Sequence, residues 1–209
     1  MWEKLDDNWK EVLRLSWEAY INGTIPVGAV IVNEKNEIVS KGRNMSYDDN
    51  IIHPLARTSM GHAEMVAMMN LKKNEHPNIS GYKVYVSLEP CYMCFGTMLM
   101  MGIKKVYYSA KDNETGSSVM VDKTDYIIKC GIDVIKNHGE MEIFQIILHT
   151  SRGQFNPVKG MMEPWEKEYE NAVPLGQKLH DEHYFLNAIR ENRDISDIYD
   201  DVLSMYYSK

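Results

Sequence analysis

The chain has 209 residues, enough for one domain with a sizeable core plus an appendage. Hydrophobic residues make up 44% and charged residues 25%, ordinary values for a globular protein in water, and no apolar stretch reaches the roughly 20 residues that a membrane helix needs. The formal net charge of −7 disfavours a broad, sequence-independent grip on duplex DNA or long RNA. The charge is uneven: residues 156–209 carry net −5 and the preceding 155 carry net −2. The first seven residues, Met1 to Asp7, place acids where a signal peptide would have basic and then apolar residues, so the expected location is the cytoplasm. Three cysteines, an odd number without framework spacing, argue against disulfides there.

In chain order, Leu5, Trp9, Val12, Leu13, Trp17 and Tyr20 recur at helical spacing and predict a helix to about Ile21. Pro26 ends that pattern. Val27–Val32 reads as a buried strand, Asn33–Asn36 as a turn, and Glu37–Gly42 as its hairpin partner. Residues 45–61 read as a long loop, a length that in a compact domain often signals function. A helix is expected from His62 to about Lys73, and a strand from Tyr82 to Leu88. Pro90 suits the first turn of the next helix, which Gly102 ends. Lys104–Ser109 is a further strand, Asp122–Cys130 a helix, and 132–135 and 142–149 are strand candidates. Alternating helices and strands imply an α/β layered sheet. We read residues 1–155 as one domain and 156–209 as a helical C-terminal extension packed on it. Ile195, Ile198, Val202 and Met205 mark its last amphipathic helix. This extension is expected to cover or complete the mouth of a pocket.

Two segments carry the chemistry: His62-Ala63-Glu64, and Pro90-Cys91-Tyr92-Met93-Cys94. A Cys-x-x-Cys alone is a weak signal. Joined to a distant His-x-Glu, it supplies three metal ligands (His62, Cys91, Cys94) and one carboxylate that need not touch the metal. One imidazole and two thiolates hold Zn²⁺ with a fourth position left for water, whose pKa the ion lowers toward about 7. Cys91 and Cys94, three residues apart at a helix start, share a face and gain from the positive helix end. Residues two apart do not share a helix face, so His62 and Glu64 meet one site only if they occupy a helix's opening turn. Glu64 is then the general acid–base that shuttles protons during removal of an exocyclic amine.

These segments resemble those of the cytidine/deoxycytidylate deaminase superfamily, over roughly Leu5 to Leu148. Within it, the chain looks most like the bacterial tRNA adenosine deaminase and guanine deaminase branch. Pro26–Val32, Gly42-Arg43-Asn44, Ser87–Cys94 and Ala110–Gly116 carry that likeness. The resemblance implies a three-layer α/β/α fold with a five-stranded mixed sheet, one Zn²⁺ per chain and a homodimer. It also implies a substrate-binding set of Asn44, backbone groups near Ala63 and Ser87, and Asp112. Read without it, Asn44 is a turn residue and Asp112 a capping carboxylate. His76, His138, His149, His180 and His183 have no ligand spacing to the motif. The longer loop before His62, the acidity and the unmatched extension set this chain apart from tRNA-acting members. The near-neutral core lacks the cationic surface that a folded RNA usually requires, so the favoured substrate is a small nucleobase, nucleoside or nucleotide. The alternatives are inosine formation in tRNA and, from another class, a catalytically silent module stapled by zinc.

Overall fold

The computed structural model describes residues 1–153 and 159–208. Asp6 starts the first helix, α1 (Asp7–Ile21), where its carboxylate accepts from the Asn8 and Trp9 amides at 2.9 and 3.1 Å. The chain then forms β1 (Gly28–Val32), β2 (Ile38–Arg43), α2 (Ala63–Met69), β3 (Lys83–Leu88), α3 (Tyr92–Met101), β4 (Lys105–Ala110), α4 (Asp125–Cys130) and β5 (Asp133–Lys136). It continues through α5 (Glu140–Thr150), α6 (Lys159–Glu168), α7 (Ala172–Asp181), α8 (Tyr184–Arg190) and α9 (Ile195–Tyr207).

The sheet is five-stranded in the order β2-β1-β3-β4-β5. β1 pairs antiparallel with β2 and β3, whereas β3, β4 and β5 run parallel. All five residues of β1 are buried, because helices cover both faces. On one face Val12 and Leu13 of α1 and Phe144 and Ile147 of α5 form a core with Val30 and Val32. On the other, Ala63 and Ala67 of α2 and Phe95 and Met98 of α3 pack with Ile31, Val84 and Val106. Gly42 sets the depth of that second layer. A Cβ there would run into the Ala63 carbonyl and the Ala67 amide, so only glycine lets α2 rest directly on β2.

Three expectations need correction. Residues 142–149 are helical, not a strand: they lie in α5, every residue of which from Met141 to Thr150 is buried. The sheet covers one side of this helix and α7 and α9 cover the other, so its apolar residues show no face, and a short apolar run then reads as a buried strand. Two of its polar members find partners inside: Glu142 meets Lys136 Nζ at 2.7 Å and Tyr169 Oη at 2.7 Å, and Gln145 Nε2 donates to the Pro26 carbonyl at 2.7 Å, whereas Gln145 Oε1 and His149 Nδ1 are buried without one. Second, α2 stops at Met69 rather than near Lys73. Third, α4 begins at Asp125 rather than Asp122, where the Thr124 hydroxyl accepts from the Ile127 amide.

The helices α6 to α9 stack outside α5 and share one hydrophobic core with α1 and α5, including Trp165, Phe185 and Tyr199. A Cβ at Gly176 would strike the Thr150 hydroxyl, so α7 approaches α5 at backbone distance. The expected domain boundary between residues 155 and 156 lies outside the described residues. No described helix is long and apolar enough to cross a membrane.

Candidate active site

The helices α2 and α3 both begin at one place. His62 is the N-cap of α2, with extended backbone (φ −73°, ψ 148°), and Glu64 follows in its first turn. Cys91 is the N-cap of α3 (φ −71°, ψ 171°), and Cys94 lies in the turn after it. Pro90 therefore precedes the helix instead of opening it, because Cys91 stays extended to bridge Gly116. The placement of His62 and Glu64 at a helix opening answers the two-residue spacing that a regular helix could not use.

The three ligand atoms form a close triangle. His62 Nδ1 lies 3.5 Å from Cys91 Sγ and 3.6 Å from Cys94 Sγ, and the sulfurs are 3.7 Å apart. Tetrahedral zinc, with bonds of about 2.3 Å to sulfur and about 2.05 Å to nitrogen, separates two sulfurs by about 3.8 Å and sulfur from nitrogen by about 3.6 Å. The donor set fits zinc on all three edges. Among the described residues no fourth His, Cys, Asp or Glu joins this cluster, so the protein supplies three of the four positions.

Charge tells the same story. The Cys91 thiol is pulled down to about 4, first by its hydrogen bond with Cys94, with His62 adding to the effect. Cys94 is pushed up, first by that same contact and then by burial. Without a cation the pair therefore retains one proton, and a divalent ion is the natural replacement for it. Glu64 is buried beside Cys94 and His62, and burial raises its carboxyl to about 7.

A cavity of about 260 Å³ opens on this cluster, below the roughly 300–1,000 Å³ of drug-sized pockets. Ile25, Val27 and Leu88 supply its apolar wall; His62, Glu64, Cys91, Asn44 and Asp112 supply polar groups. Asn44 is held by the Thr24 hydroxyl and the Ser46 amide, both donating to its Oδ1. Asp112 borders the cavity, but its carboxylate already accepts from the Glu114 and Thr115 amides and the Thr115 hydroxyl. Around Ala63 and Ser87, the chain neighbours His62, Glu64 and Leu88 line the cavity, while the side chains of these two residues turn elsewhere. Ala63 is fully buried against β2, and the Ser87 hydroxyl turns to the α1 face, where it accepts from Ser16 Oγ at 3.0 Å and the Gly28 amide at 3.2 Å.

Sequence reasoning missed Glu89, His149 and Met161, which also line the cavity. Glu89 adjoins the Cys91 motif, and its Oε1 accepts from the Ser118 amide at 2.8 Å. His149 comes from α5 and Met161 from α6, far away in sequence, and no spacing signal points to either. His149 is held neutral by burial, its pKa lowered to about 4. Trp165 meets its ring edge-on at 5.9 Å and donates from Nε1 to the Lys111 carbonyl at 2.8 Å. Asn113 Nδ2 donates to the Met161 carbonyl at 3.1 Å. The helix α6 thus clamps the segment that follows β4.

The family model for the cytidine and deoxycytidylate deaminase zinc-binding region matches residues 3–110. The tRNA-specific adenosine deaminase of Haemophilus influenzae is 38% identical over 106 residues, covering 50% of this chain and 57% of that protein. The chain therefore spans little more than half the length of that relative. The tRNA-specific adenosine deaminase of Aquifex aeolicus is 37% identical over 113 residues, covering 54% of this chain and 70% of that protein. A guanine deaminase structure from Nitrosomonas europaea superposes with a TM-score of 0.50 at 21% identity, covering 70% of this chain and 83% of that one, and shares the fold. The family match contains all three metal ligands and Glu64 but ends before Asp112, Glu114, Thr115, His149 and Met161. With its zinc-binding triad of His62, Cys91 and Cys94 inside that match, the chain belongs to the cytidine and deoxycytidylate deaminase zinc-binding family.

Proposed function

We propose that this protein is a zinc-dependent aminohydrolase that converts the exocyclic amine of an uncharged nucleobase or nucleoside to a carbonyl. One observation carries the reading: a zinc-shaped triangle of His62, Cys91 and Cys94 shares a small cavity with a buried carboxylate, Glu64, that is not part of the triangle. Zinc, when bound, supplies a water acidified enough to attack near neutral pH. Glu64 takes a proton from the attacking water, passes it to the ring nitrogen and then assists departure of the amine. The balance is base–NH₂ plus water giving base=O plus ammonia. Asn44, its oxygen engaged by Thr24 and Ser46, keeps its amide NH₂ to orient the base.

The cavity's charges select against phosphate. Glu64, Glu89, Asp112 and Glu114 line it, and no Lys or Arg is among the described lining residues. A phosphate drawn inside would meet carboxylates without the Arg or Lys donors that such groups require. The relatives named above support a second reading, adenosine-to-inosine conversion in tRNA, in which the phosphates stay outside the cavity. Free thiol ligands suit a reducing compartment such as the cytoplasm.

A second copy of the chain is the proposed partner. Tyr92 and Met100 on the outer side of α3, and Tyr126 and Ile128 on α4, are all more than half exposed. Tyr126 Oη contacts Met100 Sδ at 3.8 Å, so the two helices present one apolar patch. Sedimentation equilibrium tests this: a dimer is expected, and Met100→Glu should shift it toward monomer.

Ammonia release from free bases, their nucleosides and their 5′-monophosphates tests the substrate class. Turnover of a base or nucleoside is expected, with at least a tenfold preference over its monophosphate. Inosine formed in tRNA while every small substrate stays inert would favour the second reading.

A further inference from the structure

Beyond residue 110 the family match ends, and the cavity wall continues with residues outside it. The most informative is His149. It is 6% exposed and lines the cavity, and its Nδ1 is fully buried without a hydrogen-bond partner. A buried ring nitrogen left unpaired is costly, and native structures rarely keep one without a ligand or water to meet it. The ring is also pinned. Trp165, itself 1% exposed, packs edge-on against it and is anchored to the Lys111 carbonyl. Met161, tied to Asn113, lines the same cavity. A pinned imidazole with an unpartnered ring nitrogen, lining the same cavity as His62 and Glu64, is placed to meet a ligand there.

We propose that His149 is the specificity-determining residue of the site, selecting among bases by a hydrogen bond to a polar atom on the base edge, with Met161 bordering the base. This rests on the deaminase reading above and adds to it the part of the site that distinguishes one base from another. The group read is an uncharged ring nitrogen or carbonyl, because the buried imidazole carries no charge to balance an anion. The sequence accounts for the division of labour. The family match, up to residue 110, contains the metal triad and Glu64, and α5 and α6 add the selecting wall.

The test uses the full zinc-loaded chain, the best substrate found among bases and nucleosides, and deaza analogues in which one ring nitrogen becomes C–H. Wild-type protein should discriminate against one analogue. His149→Phe, which keeps an aromatic ring but no nitrogen, should lose roughly 10- to 100-fold of that discrimination, in KM more than in kcat. His149→Gln, which restores a polar group, should recover part of it. Folded, zinc-loaded His149→Phe with unchanged discrimination would overturn the proposal while leaving the deaminase reading intact. Should His149→Phe fail to fold, the His149 ring-nitrogen NMR signals of the wild type decide instead: they should shift when a substrate or product base is added, and no shift would overturn the proposal. A wild-type chain that turns over no base or nucleoside would overturn the underlying reading and this inference with it.

Discussion

The Thr24 hydroxyl donates to the Asn44 side-chain oxygen at 2.6 Å, while the Tyr47 amide donates to Thr24 at 3.3 Å. The Ser46 amide also donates to Asn44, which fixes the amide's orientation, since an N–H can meet only the oxygen. The Asn44 NH₂ therefore remains as a donor at the cavity. Asn44→Ala should lower kcat/KM by roughly 10- to 100-fold through loss of one buried hydrogen bond to substrate. Thr24→Val should cost less, because Ser46 still holds the amide. Steady-state kinetics beside zinc analysis checks both, and the metal content should not change.

Glu64 is buried next to the ligands without being one of them. Glu64→Gln keeps the shape and removes the proton acceptor. Turnover should fall by roughly 10²–10⁴-fold or more, with zinc retained at one per chain. A silent zinc staple would lose nothing by this change.

Arg43 and Asp48 form a buried ion pair at 2.6 Å, 7% and 0% exposed. Arg43 also donates to the Asn44 carbonyl at 3.1 Å, so the pair anchors the start of the long loop beside the site. Asp48→Asn leaves the guanidinium with the Glu18 carboxylate, 2.8 Å from its Nε, and a neutral amide, so urea denaturation should show a loss of about 1–3 kcal/mol, below that of a fully broken buried pair. A loss well below 1 kcal/mol would show that the loop is anchored elsewhere.

His149 gives the protein a signature in pH. Burial depresses its pKa from 6.5 to about 4, so the unfolded state binds the proton first as pH falls. Stability is therefore full above about pH 6.5 and declines toward pH 4, by about 3 kcal/mol in all for this group. Nearby Asp112 opposes the shift and Arg152 assists it, so the quantity to measure is the difference between wild type and His149→Gln. That difference should appear only in the acidic window and vanish at neutral pH, apart from a constant offset.

Trp165 closes the fold over the site from α6. Its ring is 1% exposed and its Nε1–H reaches the Lys111 carbonyl. Trp165→Ala should cost about 3–5 kcal/mol and loosen the segment from Lys111 to Gly116, which protects the site's edge. Hydrogen exchange should show faster exchange there than at β1.

Much of the fold and of the metal site is legible in the sequence. The strands and the two motif helices follow from apolar periodicity and from Pro and Gly punctuation. The ligand set follows from residue chemistry, because few arrangements join His-x-Glu to Pro-Cys-x-x-Cys. Residues 142–149 were misread because a helix buried on all sides has no amphipathic face. The Ser87 side chain faces Ser16 because a strand alternates its faces. His149 and Met161 were invisible for a different reason. Their role depends on α5 and α6 folding back over β4, a tertiary event that leaves no local pattern.

The most direct measurement is ammonia release by the zinc-loaded chain from a panel of bases and nucleosides, repeated after chelation and with Glu64→Gln. Multiple turnovers are expected on at least one of them, lost on chelation, restored by added zinc, and nearly absent in the variant although its metal is bound. Purified protein that binds no zinc, or a Glu64→Gln enzyme that matches the wild-type rate, would contradict the deaminase reading.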